Sequence, residues 1–186
     1  ITVNAGGAID ILGRNAFNNL TSTRMLILNG SGVLMNGTYS GAVFNSSLVS
    51  GGTYAGPITL GSDTLIKSGG NASASNSFSG DINTNGHTLT LGGLSSSASN
   101  TISGVISGST GSVLKQDAGA WKLSGANTFS GGLTVSAGTL TAGAAGALGD
   151  PANAITLNGS TLALSTFDQT VGAVTIGTGG ASITGT

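Results

Sequence analysis

Few residues of this chain could do chemistry, and they are widely spaced. One histidine, His87, and no cysteine occur among 186 residues, so a Ser-His-Asp arrangement could use only His87. Its place just after the tight turn Asn85-Gly86 favours a solvated or capping role over catalysis. The acidic residues are all aspartates, at Asp10, Asp63, Asp81, Asp117, Asp150 and Asp168. These aspartates are far apart in the sequence, and no phosphate-binding or dinucleotide motif is present, so the sequence predicts no catalytic, cofactor-binding or metal-binding residue.

The elements that would have to position these residues are short strands. From Val113 to Gly149, apolar residues alternate with polar ones: Trp121 and Leu123 lie two apart, as do Leu133 and Val135, and Gly, Asn and Ser separate the runs. This alternation is typical of strands with one buried face. No window of this stretch favours a helix.

The same stretch closely resembles the passenger-associated repeat of bacterial autotransporters. The resemblance implies a right-handed parallel β-helix that is exported to the bacterial surface. Trp121 stands where the family usually has a smaller aliphatic residue, which predicts a locally wider rung. The matching residues, in chain order, are Leu114-Lys115, Gly119, Leu123-Ser124-Gly125, Asn127-Thr128-Phe129-Ser130-Gly131-Gly132, Thr134-Val135, Ala137-Gly138-Thr139-Leu140 and Ala147-Leu148-Gly149.

A recurring phrase supports the same fold class from the residues themselves. An aromatic residue or isoleucine is followed by Ser or Ala and then by Gly, and after one shorter first interval the phrase returns about every two dozen positions. A period in the twenties indicates a solenoid, in which strands stack about 4.8 Å apart and equivalent side chains form columns. We expect the leading residues to form an inward ladder, the glycines to turn a corner, and Trp121 to point inward beside Leu123. The phrase occurs at Tyr39-Ser40-Gly41, Tyr54-Ala55-Gly56, Phe78-Ser79-Gly80, Ile102-Ser103-Gly104 and Phe129-Ser130-Gly131.

Length and composition predict one elongated all-β unit over residues 1–186. At about two dozen residues per coil, the chain would make roughly seven or eight rungs of a parallel β-solenoid. Residues 1–47 have the weakest repeat character and are predicted to be irregular first coils, whereas 48–186 are regular repeats with the best family match at 113–149. Elsewhere, aliphatic-Thr-aliphatic runs such as Leu89-Thr90-Leu91 and Ile155-Thr156-Leu157 predict aliphatic residues inside and threonine outside.

Charge excludes two classes of partner. Five Lys and Arg oppose six Asp, giving a net charge of -1, and only 6% of residues are charged. Nucleic acids and anionic membranes require a concentrated basic surface, so we expect neither as a partner. No window approaches the roughly 18 apolar residues of a membrane helix, so this segment is not expected to insert into a membrane.

The predicted function is structural and adhesive, without catalysis. We expect an extracellular solenoid segment of an autotransporter-like bacterial surface protein, with a host or cell-surface ligand as one further partner. Each coil buries its apolar face only against its neighbours, and neither end shows an obvious cap. The ends are therefore expected to join neighbouring segments of the same longer chain or a second copy.

Two other functions stay open. The chain could be a subunit of a self-assembling extracellular filament, joined through stacked ends or strand exchange. It could also be a polysaccharide-degrading enzyme of β-helix fold, because carboxylate pairs cleave glycosides, and Asp63 with Asp81, or Asp150 with Asp168, could face each other on successive rungs. The dispersed basic residues argue against the enzyme; they are Arg14, Arg24, Lys67, Lys115 and Lys122.

Overall fold

The computed structural model describes residues 1–11, 24–47, 51–69, 74–96 and 100–185. Arg14 lies outside these ranges. Within them the chain forms strands and no helix, as the alternating sequence predicts. The strands are β1 (Thr2–Val3), β2 (Ile9–Asp10), β3 (Leu26–Gly30), β4 (Leu34–Met35), β5 (Thr38–Tyr39), β6 (Val43–Phe44), β7 (Gly52–Tyr54), β8 (Ile58–Lys67), β9 (Asn76–Phe78), β10 (Ile82–Asn83), β11 (Thr88–Gly92), β12 (Thr101–Ile102), β13 (Ile106–Ser107), β14 (Ser112–Lys115), β15 (Ala120–Leu123), β16 (Leu133–Val135), β17 (Gly138–Ala142), β18 (Ile155–Leu157), β19 (Ser160–Ala163), β20 (Val174–Ile176) and β21 (Ala181–Thr184).

Parallel pairing between successive coils builds three walls. The first wall is a sheet in the order β7-β9-β12-β15-β17-β19-β21. The second wall contains β10 and β13, and the third contains β11, β14, β16, β18 and β20 in register. The long strand β8 belongs to both of the latter, because its start pairs with β10 and its end with β11. The chain is thus a parallel β-solenoid of about seven turns, which confirms the predicted fold class.

The core lies inside the walls and consists of columns of stacked aliphatic side chains. On the third wall, Leu89, Val113, Leu133 and Ile155 occupy equivalent positions in four consecutive coils, and all four are buried. The intervening threonines, such as Thr90 and Thr156, are not buried, so the aliphatic-Thr-aliphatic runs orient as predicted. Because parallel strands repeat the same face in every coil, one period-two sequence pattern fixes the inside of the whole wall.

The first coils are less regular than the later ones. Strands β3 and β8 lose their register between Leu28 and Gly30, and β4 and β5 form an antiparallel pair. Among the described residues, every other strand pairing is parallel. The division into irregular coils over 1–47 and regular repeats over 48–186 stays a prediction. Within the described ranges, no helix has the length and apolar character needed to cross a membrane.

Candidate functional site

His87 lies beside an aspartate of the preceding coil. Its Nδ1 is 3.8 Å from Asp63 Oδ1, and the same carboxylate oxygen accepts a 2.8 Å hydrogen bond from the Thr88 backbone N–H. The histidine follows a turn in which Asn85 and Gly86 both have positive φ. Among the described residues, the side chain of His87 makes this contact with Asp63. The interval from Asp63 to His87 equals the interval from Phe78 to Ile102, so the repeat period could have indicated this pair, although the sequence prediction paired Asp63 only with Asp81.

Three aspartates use their carboxylates to join coils. Asp63 binds Thr88, Asp81 Oδ1 accepts the Val105 N–H at 2.8 Å, and Asp117 Oδ2 accepts the Gly93 N–H at 2.8 Å. Each bond joins one coil to the next along the solenoid. Across the described ranges, no three His, Asp, Cys or Glu side chains stand together in a way that could hold a metal ion. These carboxylates therefore act as structural acceptors for backbone donors at the edges of coils.

Lys115 interrupts an inner column of the third wall. It pairs with Leu91 on one side and Val135 on the other, and its side chain is fully buried. Its Nζ donates to the carbonyl oxygens of Gln116 and Asp117, both at 2.7 Å, and to Ala137 at 3.1 Å. All three N–H donors are thus used, which makes a buried ammonium tolerable. Burial lowers the pKa of Lys115 to about 8, while the Asp117 carboxylate opposes the shift.

Three of the five recurring phrases occupy equivalent places. Tyr54 pairs with Phe78, and Phe78 pairs with Ile102, and all three side chains are buried in the first wall. The next member of this inner column is Leu123 rather than Phe129. Phe129 is also buried, but it belongs to the second wall, since the N–H of the neighbouring Thr128 donates to the carbonyl oxygen of Ile106 in β13. The predicted ladder is therefore formed by Tyr54, Phe78 and Ile102, and it excludes Phe129.

The remaining phrase leaves the solenoid core altogether. Tyr39 belongs to the antiparallel pair β4–β5, and 49% of its surface is exposed. The interval from Tyr39 to Tyr54 is too short for a coil, which explains why Tyr39 is not one rung below Tyr54. Tyr39 thus differs from the inward position expected of it, and Gly41 next to it has a positive φ of 93°.

The glycines of the phrase mark a close approach between coils. A Cβ on Gly80 would collide with the carbonyl of Gly56, and a Cβ on Gly104 would collide with the carbonyl of Gly80. Gly125 continues the column, since its Cβ would meet the carbonyl of Gly104. Gly131 instead lies against Thr110 and Gly111, outside this column. Neither Gly80 nor Gly104 has a positive φ, so crowding rather than backbone conformation requires glycine here.

Trp121 is buried, as its phase with Leu123 predicts. Its indole ring stacks on Phe78, with centroids 6.3 Å apart and an interplanar angle of 21°. The indole Nε1 donates to the carbonyl of Gly92 at 3.0 Å. The ring therefore joins the first wall to the corner where the third wall ends.

Buried asparagines form a second set of links between coils. Asn100 Oδ1 accepts the Asn76 N–H at 2.8 Å, while Asn100 Nδ2 donates to Ala120 at 2.8 Å and to Ser95 at 3.2 Å. One amide side chain thus ties three consecutive coils together. Asn127 acts similarly at another corner, accepting from Ile106 N at 2.7 Å and donating to Ala147 O at 2.6 Å. The sequence did not predict this linking role, although Asn127 is among the residues that match the repeat, because a buried asparagine looks like a turn residue until the coils are stacked.

The rung made by β20 and β21 is open on its outer side. Val174, Ile176 and Ile183 continue inner columns through their pairing with Ile155, Leu157 and Leu162. Their partners are buried, whereas 45–54% of each of the three side chains is exposed. β20 and β21 are also the last strands of their sheets. Among the described residues, no further coil covers these three side chains.

Comparison with known proteins agrees with the sequence resemblance. The family described as Passenger-associated-transport-repeat matches residues 113–142. Over 71 residues the chain is 46% identical to a protein named Adhesin BmaC autotransporter, from Brucella suis biovar 1 (strain 1330). That similarity covers 38% of this chain, and the chain spans only 2% of the length of this curated relative. No solved structure matches the chain. The chain therefore contains the passenger-associated-transport repeat of bacterial autotransporters, and the resemblance stated from its sequence is confirmed.

Proposed function

We propose that this chain is a non-catalytic β-solenoid segment of a secreted bacterial surface protein, in which it acts as a stalk and carries adhesive contacts. The repeat family and the adhesin relative support an autotransporter-like solenoid segment at the cell surface. The observation that carries the structural role is the stacking of successive coils. Leu89, Val113, Leu133 and Ile155 form one buried inner column through four coils, because each coil buries its apolar face against its neighbours.

The outer faces suit many weak contacts rather than one deep pocket. On the first wall, Thr53, Ser77 and Thr101 are paired in successive coils, and the outer column continues to Lys122 and Thr141. Neighbouring positions in such a column are about 4.8 Å apart, so a regular row of hydroxyl groups faces outward. This surface supports the adhesive part of the proposal, because an extended partner could hydrogen-bond to several coils at once.

Adhesion is tested by coating beads with the folded chain and measuring their attachment to epithelial cells and to bacteria. A variant carrying Ser77→Lys and Thr101→Lys disrupts the hydroxyl row, and Thr156→Lys on the third wall serves as the matched control. We expect attachment by the wild type and the control and its loss in the double variant. Equal attachment by coated and uncoated beads contradicts the adhesive role.

The absence of catalysis is tested separately with polysaccharides as substrates. We expect no release of reducing ends from acidic or neutral polysaccharides, either by the wild type or by an Asp63→Asn, His87→Gln variant. Cleavage by the wild type that disappears in this variant would overturn the non-catalytic proposal and would favour the polysaccharide-degrading alternative.

A second candidate function is a subunit of a homopolymeric filament. The parallel pairing from coil to coil favours it, because the same backbone pairing can join the coils of two chains. Electron microscopy of the isolated chain separates the two functions. Discrete rods and irregular clusters support the stalk, whereas long regular filaments with a repeat of about 4.8 Å along the axis support the filament.

A further inference from the structure

The antiparallel pair β4–β5 forms a hairpin that leaves the solenoid. Leu34 pairs with Tyr39 across it, and the turn residues Asn36 and Gly37 have φ values of 48° and 78°. Such paired positive φ values are typical of a type I′ turn, whose twist matches a two-residue hairpin. The Ser40 N–H donates to Val33 O at 2.9 Å and closes the base of the hairpin. The hairpin is therefore an ordered projection rather than an interrupted coil.

This projection exposes large apolar side chains. Leu34 is 59% exposed, Met35 57% and Tyr39 49%. An isolated two-stranded hairpin is marginal in water, so its position depends on the solenoid beneath it. Lys67 supplies one such support, since its Nζ donates to Tyr39 O at 3.3 Å. Gly41 supplies another, because it lies so close to Lys67 that a side chain on it would be crowded.

A cleft of about 260 Å³ separates the hairpin from the solenoid wall. This volume lies just below the range for small-ligand pockets, and the cleft is shallow and open to solvent. One side is formed by hairpin residues that include Tyr39 and Met35, and the other by Phe44 and Lys67 on the wall. The remaining lining residues are small and polar: Thr38, Ser40, Asn45, Ser46, Ser68 and Gly69.

The wall side of the cleft combines an aromatic ring with a cation. Asp10 pairs with Phe44, and Phe44 pairs with Lys67, so the three side chains follow one another in successive coils. The Asp10 carboxylate accepts hydrogen bonds from both the backbone N–H and the hydroxyl of Ser46. Asp10 does not line the cleft, and Lys67 is the charged residue among those that do. The cleft thus offers two aromatic side chains, an ammonium donor and several hydroxyl groups.

We propose that this cleft is a binding site for a saccharide. A sugar ring has an apolar C–H face that packs on an exposed aromatic ring, and its hydroxyl groups match a few convergent polar groups at the rim. Tyr39 and Phe44 supply the rings, and Lys67 supplies the donor, with two ammonium protons beyond the one given to Tyr39 O. This inference adds to the stalk function and does not depend on it, because the cleft shares no residue with the inner column of Leu89, Val113, Leu133 and Ile155.

The test measures saccharide binding by the whole chain. A panel of neutral and carboxylated oligosaccharides is screened on an array, and the strongest binder is titrated by calorimetry. Tyr39→Ala and Lys67→Gln are expected to weaken binding by about tenfold or more, which corresponds to about 1.4 kcal/mol. Leu34→Ala is the matched control, because Leu34 is exposed on the same hairpin but does not line the cleft. Far-UV circular dichroism checks that each variant keeps the solenoid.

Three results would overturn the saccharide site. The first is that no oligosaccharide binds the folded chain. The second is that Leu34→Ala weakens binding as much as Tyr39→Ala does, and the third is that neither Tyr39→Ala nor Lys67→Gln weakens it. All three results leave the stalk function intact, since rods and adhesion through the outer wall are measured independently.

Discussion

The Nζ of Lys115 lies 3.1 Å from the carbonyl oxygen of Ala137, so a buried ammonium joins one coil to the next. Two further bonds fix it to the carbonyls of Gln116 and Asp117. Lys115→Met keeps most of the stem that packs between Leu91 and Val135 but removes all three donors. We expect the free energy of unfolding to fall by about 1–3 kcal/mol at neutral pH, measured by urea denaturation. Lys122→Met, on the outer face of the first wall, is the control, and a Lys115→Met variant as stable as this control would contradict the role of the ammonium.

The same residue predicts a pH dependence of stability. Burial lowers the pKa of Lys115 from 10.5 to about 8 in the folded chain. Between these values the unfolded chain binds more protons than the folded one, so the free energy of unfolding contributed by Lys115 rises with pH. Urea denaturation from about pH 7.5 to about pH 9.5 should therefore show the wild type gaining stability relative to Lys115→Met. Parallel curves for the two proteins would show that Lys115 does not titrate in this range.

The stability of both proteins at still higher pH also depends on the titration of Tyr54. Burial raises the pKa of Tyr54 above its usual 10.0. At higher pH the unfolded tyrosine ionises before the folded one, which lowers the stability of the folded chain and opposes the effect of Lys115. Because Tyr54 is present in both proteins, the difference between them isolates Lys115.

The glycine column predicts a strong effect of one methyl group. Gly104→Ala would place a Cβ against the backbone carbonyl of Gly80, which cannot rotate away as a side chain could. We expect a loss of about 1–3 kcal/mol, seen as a lower urea midpoint. Gly185→Ala is the control, because its Cβ would meet other atoms only at 3.8 Å and 3.9 Å. Equal midpoints for the two variants would show that the coils can separate at Gly104 without cost.

The buried amide of Asn100 predicts a loss of order across three coils. Asn100→Leu removes hydrogen bonds to Asn76 N, Ser95 O and Ala120 O in the interior. Buried groups left without partners cost about 1–3 kcal/mol each, so we expect a lower thermal midpoint and faster amide exchange at Asn76. Asn4→Leu, at an exposed turn, is the control. Unchanged exchange at Asn76 would contradict the linking role of Asn100.

Local patterns in the sequence predict the inside of the solenoid well. Alternation predicts that Leu89 and Leu91 point inward, because every second side chain of a strand lies on the same face. The inward position of Trp121 is predicted in the same way, because Trp121 lies two residues from Leu123. The glycine column is equally readable, since the interval from Gly56 to Gly80 equals the interval from Gly80 to Gly104. The next coil, from Ile102 to Leu123, is shorter, whereas the phrase itself next recurs at Phe129, so following the phrase selects Phe129 instead of Leu123.

Features that depend on stacking between coils could not be predicted. A lysine is expected to point toward solvent, yet Lys115 points inward. Three backbone carbonyl oxygens that accept hydrogen bonds from its Nζ explain this position, and they come together only when the coils are stacked. Asn36-Gly37 indicates a tight turn, yet nothing local shows that this turn leaves the solenoid and creates a cleft beside Lys67. The approach of His87 to Asp63, in contrast, could have been predicted, because the interval between them equals the interval from Gly56 to Gly80.

The most direct test of the proposed stalk is sedimentation velocity of the chain over a range of concentrations. We expect an elongated particle, because each coil adds about 4.8 Å to the length of the solenoid. A compact particle would contradict a stalk built from stacked coils.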